Sequence, residues 1–348
     1  MHPVSGIPLA RLERLVADTT GTPPPLELQE ILGGASVRRF FRVRTAGGGS
    51  VVAMYAPVQS HEIAKAPSAH RPWPYLEVRS LLEAHGVRVP ALIGTACEEG
   101  LVLLEDLGDT LAQHLAKRDE DRELLYRVAV RDLARAQRAL DPLPPDCIVL
   151  ERAFDEDLLK REVDHFREWA LEARGISISA ADHALFERAA QHLAHTIASW
   201  PRGFVHRDYQ SRNLMVVCDS AGELGLGWVD FQDAMLGPRI YDMVALLSDS
   251  YQSFTTEFVE SRLDEFTRHL GLGDGERERI GREFRVVTVQ RKLKDAGRFV
   301  FIERKLGNPT FLCFVEPTIR KAQRALDDLT DDPLLAELAG LLARLFPR

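Results

Sequence analysis

Cysteine is scarce in this sequence, and the four cysteines that occur are far apart. Cys97, Cys147, Cys218 and Cys313 form no CxxC pair, and their spacing matches no zinc-binding pattern. Isolated thiols of this kind are typical of small buried residues in a reducing compartment. We therefore expect neither a disulfide framework nor a zinc site.

A long apolar run is also missing. No stretch approaches the roughly 20 apolar residues that cross a bilayer. The first helical stretch mixes Arg11, Glu13, Arg14 and Asp18 with apolar residues, which is not the pattern of a secretory signal. The sequence therefore predicts a cytoplasmic protein without a membrane partner.

The sequence has no surplus of positive charge. Lys and Arg number 44 against 52 for Asp and Glu, so the formal net charge is −8. Nucleic-acid binding draws its affinity from neutralised phosphates, and a net acidic chain is a poor candidate for it. The hydrophobic content of 45% and the length of 348 residues indicate a globular protein of one large or two medium domains. The oligomeric state stays open.

The first hundred residues contain short apolar runs divided by glycines. Runs at residues 26–32, 40–44 and 50–55 predict three strands of an antiparallel meander. The other elements predicted here are helices over residues 8–17 and 74–86 and an apolar strand over residues 101–104.

The rest of the chain is mainly helical by its period. Helices are predicted over residues 119–140, 154–173 and 179–199, short strands over 214–217 and 226–229, and a further helix that Gly237 and Pro238 open. The sequence thus predicts an α+β, bilobal chain. Its parts are a small antiparallel-sheet N-terminal lobe (1–104), a hinge (105–109) and a larger helical lobe (110–348).

One segment carries the residues that phosphoryl transfer needs. It reads HRDYQSRN over residues 206–213, and Asp230 follows Asn213 by 17 residues, after an apolar strand. Phosphoryl transfer requires oxygen ligands for magnesium and a group that accepts the hydroxyl proton. An Asp and an Asn five residues apart in a tight loop can serve the hydroxyl and the metal respectively. The segment predicts a kinase that uses ATP and Mg²⁺.

This pattern resembles that of the aminoglycoside phosphotransferase-like kinases over nearly the full length of the chain. The resemblance implies a protein-kinase-like fold in which the N-terminal lobe (1–104) binds nucleotide. The resemblance implies that Asp208 is the catalytic base and that Asn213 and Asp230 bind magnesium. It also implies that His206 supports the loop backbone and that Asp242 accepts hydrogen bonds from the same backbone.

Two features distinguish the chain from protein kinases. A long helical stretch precedes the catalytic loop, and only a few residues separate Asp230 from Pro238. No room remains for an activation segment that carries a peptide substrate. The segment DFQD at residues 230–233 replaces the DFG of protein kinases, as is usual among small-molecule kinases.

The nucleotide side begins with a glycine-containing loop. Gly33, Gly34 and Ser36 lie between two predicted strands, where backbone N–H groups can approach phosphates. On the family layout, backbone groups near Glu105 and Leu107 meet the adenine. Glu77 is the best match to the helix glutamate that pairs with a strand lysine.

That strand lysine is absent, because Met54 stands where an Ala-x-Lys pattern would place it. A kinase without this cation loses a counter-charge to the α- and β-phosphates. Three alternatives follow. The chain is a pseudokinase scaffold, or the charge comes from Arg38 or Arg39, or the charge comes from Lys65. We favour a substituted cation, since the three residues of the catalytic loop and metal site are intact.

Five stretches resemble a branch of this family, the bacterial anomeric kinases of N-acetylmuramate and N-acetylglucosamine in cell-wall recycling. They are ASVRRFFR (35–42), VAMYAP (52–57), LLEDLG (103–108), HRDYQSRNLM (206–215) and DFQDAMLGPRIYD (230–242). Tyr55 departs from the pattern of this branch, in which an acidic residue is more usual at that position. The resemblance implies transfer to the C1 hydroxyl of an amino sugar. The alternative is a kinase of another small alcohol, such as an aminoglycoside or a choline-like amine, which would favour an acidic acceptor pocket.

Several loop residues are candidates for contacts with the acceptor. Tyr209, Gln210 and Arg212 lie in the catalytic loop, and Arg212 either offsets charge on the transferring group or anchors the loop through an ion pair. Asp233, Asp249 and Tyr251 are further candidates for sugar hydroxyls.

A second set of candidates is cationic. Arg291, Lys294 and Arg298 share one face of the helix predicted over residues 285–305. If this face borders the site, it can recognise a carboxylate. Charge stripes usually face water, however, so we expect a solvated surface.

Overall fold

The computed structural model of the protein describes residues 6–31, 37–57 and 73–347. The chain divides into two compact units, the first of residues 1–110 with 215–232 and the second of residues 111–214 with 233–348. The predicted boundaries placed residues 215–232 in the second lobe. The structure assigns them to the first, where the Trp228 amide donates to Arg88 O over 2.8 Å.

The first unit contains a five-stranded sheet of order β1-β2-β3-β5-β4, and each neighbouring pair is antiparallel. The strands are β1 (Leu28–Ile31), β2 (Arg39–Arg44), β3 (Ser50–Tyr55), β4 (Leu92–Ala96) and β5 (Leu101–Glu105). The predicted meander is therefore present as β1 to β3. Strand β4 was not predicted; its pairing with β5 shifts register between Leu92 and Gly94.

Two helices and a hairpin complete the first unit. Helix α1 (Leu9–Thr20) buries Leu12 and Val16 with Phe41 and other apolar residues of the sheet, as its helical period predicts. Helix α2 (Pro74–Ala84) begins with a proline at its first turn. The hairpin consists of β7 (Leu214–Cys218) and β8 (Leu224–Trp228).

The second unit is mainly helical. Its helices are α3 (Leu111–Lys117), α4 (Arg122–Ala139), α5 (Glu156–His165), α6 (Ala180–Ala198), α7 (Tyr241–Leu247), α8 (Thr256–Leu270), α9 (Asp274–Leu306), α10 (Val315–Asp327) and α11 (Pro333–Leu345). Two short antiparallel strands, β6 (Arg202–Val205) and β9 (Met235–Pro238), pair within it. Among the described residues, none of these helices combines the length and apolar character that a membrane span requires.

The start of α7 differs from the prediction. Gly237 and Pro238 do not open a helix but end β9, and the helix begins at Tyr241. Gly237 pairs with Gly203, and a Cβ atom at position 237 would lie 2.7 Å from the ring of Phe154. The glycine therefore allows close packing of a strand against an aromatic ring, a tertiary requirement that its helix-start pattern does not reveal.

Candidate active site

The backbone of the catalytic loop is held by Asp242, in the first turn of α7. Its carboxylate accepts from the His206 amide over 2.7 Å and from the Arg207 amide over 2.9 Å, which is the contact that the resemblance implied. Burial raises the pKa of Asp242 to about 7, although both hydrogen bonds favour the ionised form. The Asp208 amide in turn faces His206 Nδ1 over 3.3 Å, so His206 supports the loop from within.

Arg207, which directly precedes Asp208, adopts an unusual backbone conformation. Its φ is +79°, in the left-handed region that non-glycine residues rarely enter. Asp242 binds its amide, Arg291 donates to its carbonyl over 2.8 Å, and Glu162 pairs with its guanidinium over 3.0 Å. Contacts on three sides hold this strained residue and thereby fix the direction in which the next residue points.

Asp208 is a partly accessible carboxylate in a cationic environment. Arg291 Nη2 lies 3.4 Å from its Oδ1, and Asn213 donates to its carbonyl over 2.9 Å. Burial alone would raise the pKa of Asp208. The charges of Arg291, Lys294 and Arg207 outweigh burial and hold the pKa below its ordinary value, so the carboxylate is ionised at neutral pH.

The expectation that the cationic face of α9 is solvated is wrong for Arg291. The side chain of Arg291 is only 2% exposed, because it contacts the catalytic loop rather than water. The ring of Tyr241 lies 5.0 Å below its guanidinium. Residue spacing alone identified the shared face of α9. Which element packs against that face can be read only from the tertiary structure.

Two loop residues assigned to the acceptor have supporting contacts instead. Tyr209 is fully buried, and its hydroxyl donates to Ala129 O over 2.9 Å. Asp249 is also buried, and it accepts from the Ser211 amide and from Ser211 Oγ over 3.0 and 2.5 Å. A buried carboxylate that holds a loop serine was not predicted as such, since Asp249 is 38 residues away in sequence.

The remaining loop candidates are more accessible. Gln210 and Asp233 are half-buried, whereas Arg212 is exposed. The guanidinium of Arg212 stacks on the ring of Tyr251, 3.5 Å from its centroid. Of the two alternatives for Arg212, the structure shows no anchoring ion pair among the described residues but a cation–π contact, which holds the side chain without neutralising its charge.

In the first unit, Asp230 forms a cluster with Arg38 and Gln232. Arg38 donates to Asp230 Oδ1 over 2.8 Å and to Gln232 Oε1 over 2.7 Å, and Gln232 Nε2 donates to Asp230 Oδ1 over 3.1 Å. Asp230 has a φ of +65°, the second strained non-glycine residue in the described ranges. The Gln of the DFQD segment, which the sequence interpretation passed over, therefore bridges the predicted metal ligand and a cation.

Met54 belongs to the core of the sheet. Its side chain is buried in β3, opposite Phe40 on one neighbouring strand and Val102 on the other. Phe231, which follows Asp230, stacks on Tyr75 of α2 with ring centroids 5.0 Å apart. The same helix carries Glu77, half-buried in its first turn.

The other nucleotide-side candidates have distinct environments. Arg39 pairs with Glu30 over 2.8 Å at the sheet surface. The carboxylate of Glu105 binds Arg88 over 2.5 Å, and its amide donates to Ala91 O over 2.9 Å. Leu107 packs against Gly227, where a Cβ would meet it at 2.7 Å. Gly33, Gly34, Ser36 and Lys65 lie outside the described residues.

The role of one residue within the predicted hinge, Asp106, was missed. Asp106 accepts from Arg42 Nε over 2.5 Å and from Ser50 Oγ over 2.6 Å. It also accepts from the Gly108 amide over 3.0 Å. This carboxylate therefore ties the end of β5 to β2 and β3.

The candidate metal ligands suit magnesium by their chemistry. Asn213 and Asp230 offer amide and carboxylate oxygens, the hard ligands that Mg²⁺ prefers. Within the described ranges, no group of three or more His, Cys, Asp or Glu side chains is arranged to hold a metal ion by itself.

The chain is similar in sequence and in fold to known kinases. An N-acetylmuramate/N-acetylglucosamine kinase of Pseudomonas aeruginosa is 32% identical over 343 residues, covering 96% of this chain and 93% of the relative. A microcompartment-associated aminopropanol kinase superposes with a TM-score of 0.63 at 16% identity, covering 93% of this chain and 98% of the other.

An ADP-bound aminoglycoside phosphotransferase superposes with a TM-score of 0.55 at 15% identity, covering 85% of this chain and 92% of the other. These likenesses confirm the predicted kinase-like α+β fold. The model of the phosphotransferase enzyme family matches residues 27–280, more than half of the chain. The chain therefore belongs to the phosphotransferase enzyme family.

Proposed function

We propose that this protein is an ATP-dependent kinase that phosphorylates the anomeric C1 hydroxyl of N-acetylmuramate and N-acetylglucosamine. The observation that carries the proposal is Asp208, an ionised and partly accessible carboxylate on a backbone that Asp242 and Arg291 hold in a strained form. The choice of sugar rests on the full-length relative named for both of these substrates.

In this proposal Asp208 orients the acceptor hydroxyl and receives its proton. Phosphoryl transfer proceeds through a loose transition state, so the hydroxyl needs alignment more than early deprotonation. The lowered pKa of Asp208 suits this role, because the carboxylate accepts a hydrogen bond throughout the neutral range. The acceptor oxygen bonds to the γ-phosphorus of ATP as the bond from that phosphorus to the β–γ bridging oxygen breaks. ADP is the leaving group, and the hydroxyl proton moves to Asp208 Oδ.

Nucleotide binding depends on the first unit. Arg38 is the described candidate that supports the substituted-cation hypothesis, because its side chain is 5% exposed and bonded to Asp230. Asn213 and Asp230 would hold Mg²⁺, which neutralises charge on the nucleotide phosphates when bound. The two residues flank the β7–β8 hairpin, Asn213 just before its first strand and Asp230 two residues after its second.

The cationic surroundings of Asp208 argue against an amine acceptor. Arg291, Lys294 and Arg207 all lower the pKa of this carboxylate. A cationic aminoglycoside or choline-like amine would be repelled by the same charges. A neutral or acidic sugar meets no such penalty, so the second enzyme hypothesis is disfavoured.

The test is turnover with ATP and Mg²⁺ on N-acetylmuramate, N-acetylglucosamine, an aminoglycoside and choline. We expect phosphorylation of the two amino sugars, with phosphorus NMR placing the product phosphate at C1. Asp208→Asn should lower kcat by about 100-fold to 10,000-fold. Asp219→Asn, in the turn of the β7–β8 hairpin, is the matched control with unchanged kcat. Nucleotide binding without turnover on either sugar would instead support the pseudokinase hypothesis.

A further inference from the structure

Helix α9 passes the catalytic loop at Arg291 and continues with two more cations on the same face. Arg291 contacts the carbonyl of Arg207 and the carboxylate of Asp208. Lys294 and Arg298 follow three and seven residues later, and therefore lie on the same side of the helix. At about 1.5 Å of rise per residue, Arg298 lies about 10 Å beyond Arg291 along the axis.

These cations differ in their partners. Arg291 pairs with Asp208, and Lys294 Nζ lies 3.4 Å from Asp295 Oδ1. Across residues 6–31, 37–57 and 73–347, no carboxylate forms an ion pair with Arg298. Its guanidinium lies over the ring of Phe301, 4.8 Å from the centroid, so the side chain is positioned by packing.

Arg298 is half-buried among other positive groups. Burial lowers its pKa, Arg207 lowers it further, and Asp208 acts in the opposite direction. The pKa of His165 is lowered by burial and then by Arg298 and Lys294. Arg298 is therefore close enough to Arg207 for the two charges to repel each other, and an anionic ligand beside Arg298 would offset this repulsion.

The packing of α9 brings this cluster together. A Cβ at Gly297 would lie 2.3 Å from His165 O, so only glycine lets α9 approach α5 this closely. At the same point α5 passes into a π-helical turn over Phe166–Leu171. Such turns are frequent at functional sites, and the start of this one lies against Gly297, the residue that precedes Arg298.

We propose that Arg298, assisted by Lys294, binds a carboxylate on the acceptor and so selects N-acetylmuramate over N-acetylglucosamine. This inference rests on the proposed function. Asp208 marks the position of the C1 hydroxyl, and Arg298 lies further along α9 on the same face. The lactyl carboxylate of the muramate is the group that the neutral sugar lacks. A planar guanidinium matches a carboxylate through two parallel hydrogen bonds.

The experiment measures kcat/KM for both sugars with wild type, Arg298→Ala and Arg298→Lys. Arg298→Ala should lower the muramate-to-glucosamine ratio of kcat/KM by about 10-fold to 100-fold, mainly through the KM for muramate. Arg298→Lys should restore part of the ratio, because it retains charge but not the planar fork. A ratio within one preparation is independent of the folded fraction.

Arg304→Ala is the matched control. Arg304 lies in the last turn of α9, pairs with Glu303 over 3.1 Å and is 54% exposed. Its removal should leave the ratio unchanged. An equal loss on both sugars in Arg298→Ala would overturn the subsite and assign Arg298 to the transferring phosphoryl group or to the fold. If wild type phosphorylates neither sugar, the proposed function itself fails and the subsite fails with it.

Discussion

The guanidinium of Arg38 donates to the carboxylate of Asp230 over 2.8 Å, within one compact unit. The two residues are 192 positions apart in sequence. Arg38 directly precedes β2. Strand β3 of the same unit carries Met54 at the position of the expected lysine. The contact brings a buried cation to the candidate metal ligand. It supports the hypothesis that Arg38 substitutes for the missing lysine.

Replacing Arg38 should therefore impair use of the nucleotide. We expect Arg38→Ala to lower kcat/KM for ATP by about 10-fold to 100-fold, since a charge-assisted contact is lost. Arg39→Ala should change it by less than about fivefold, because Arg39 forms a surface ion pair with Glu30. Steady-state kinetics with varied ATP measures both. Turnover like that of wild type in Arg38→Ala would exclude Arg38 and leave Lys65 as the candidate.

Asp242 should make stability depend on pH. Its pKa is raised from 3.8 to about 7 by burial, so between these values the unfolded chain releases a proton that the folded protein retains. Its contribution to stability is complete below pH 4 and is lost as the pH rises to 7. Relative to Asp242→Asn, wild type should lose up to about 4 kcal/mol of unfolding free energy over this range. Urea unfolding of both proteins at pH 4.5, 6 and 7.5 measures it. A constant difference would contradict the raised pKa.

Tyr209→Phe separates support of the fold from contact with the acceptor. The hydroxyl is buried and donates to Ala129 O over 2.9 Å. Its removal should lower the free energy of unfolding by about 1 kcal/mol and leave KM for the sugar unchanged. Thermal unfolding and steady-state kinetics on one preparation test both parts. A raised KM with unchanged stability would restore Tyr209 as a substrate residue.

Two glycines in helices should respond oppositely to alanine. Gly297→Ala should lower the free energy of unfolding by about 1–3 kcal/mol, because the new Cβ would overlap His165 O. Gly340→Ala in α11 should raise it by up to about 1 kcal/mol, since only the end of the Arg344 side chain lies near, at 3.8 Å. Denaturant midpoints compare the variants. Equal effects would show that α9 and α5 separate readily at Gly297.

The sequence predicted the reaction class because its evidence is local. The HRDYQSRN segment and Asp230 lie within a short stretch, and their spacing reflects one loop and one hairpin. Helix periods located α1, α4 and α6 to within a few residues, since each buries one face. Strand β4 and the start of α7 were missed, because packing rather than local pattern determines them.

Contacts between residues far apart in sequence could not be predicted from local patterns. The pairing of Arg291 with Asp208 spans 83 residues, and that of Ser211 with Asp249 spans 38. A charge stripe that faces water and one that faces a catalytic loop have the same spacing. Tyr209 likewise looks like a loop residue until its burial is known.

The sequence alone indicated the family, the candidate catalytic carboxylate Asp208 and the absence of the strand lysine, because each depends on residue identity at a fixed spacing. The tertiary structure decided which cation accompanies Asp230, which face of α9 meets the catalytic loop, and which loop side chains are buried. These depend on which elements pack against each other. Packing in turn depends on which apolar surfaces are buried and on which hydrogen-bond partners each buried polar group has. The local sequence pattern indicates neither.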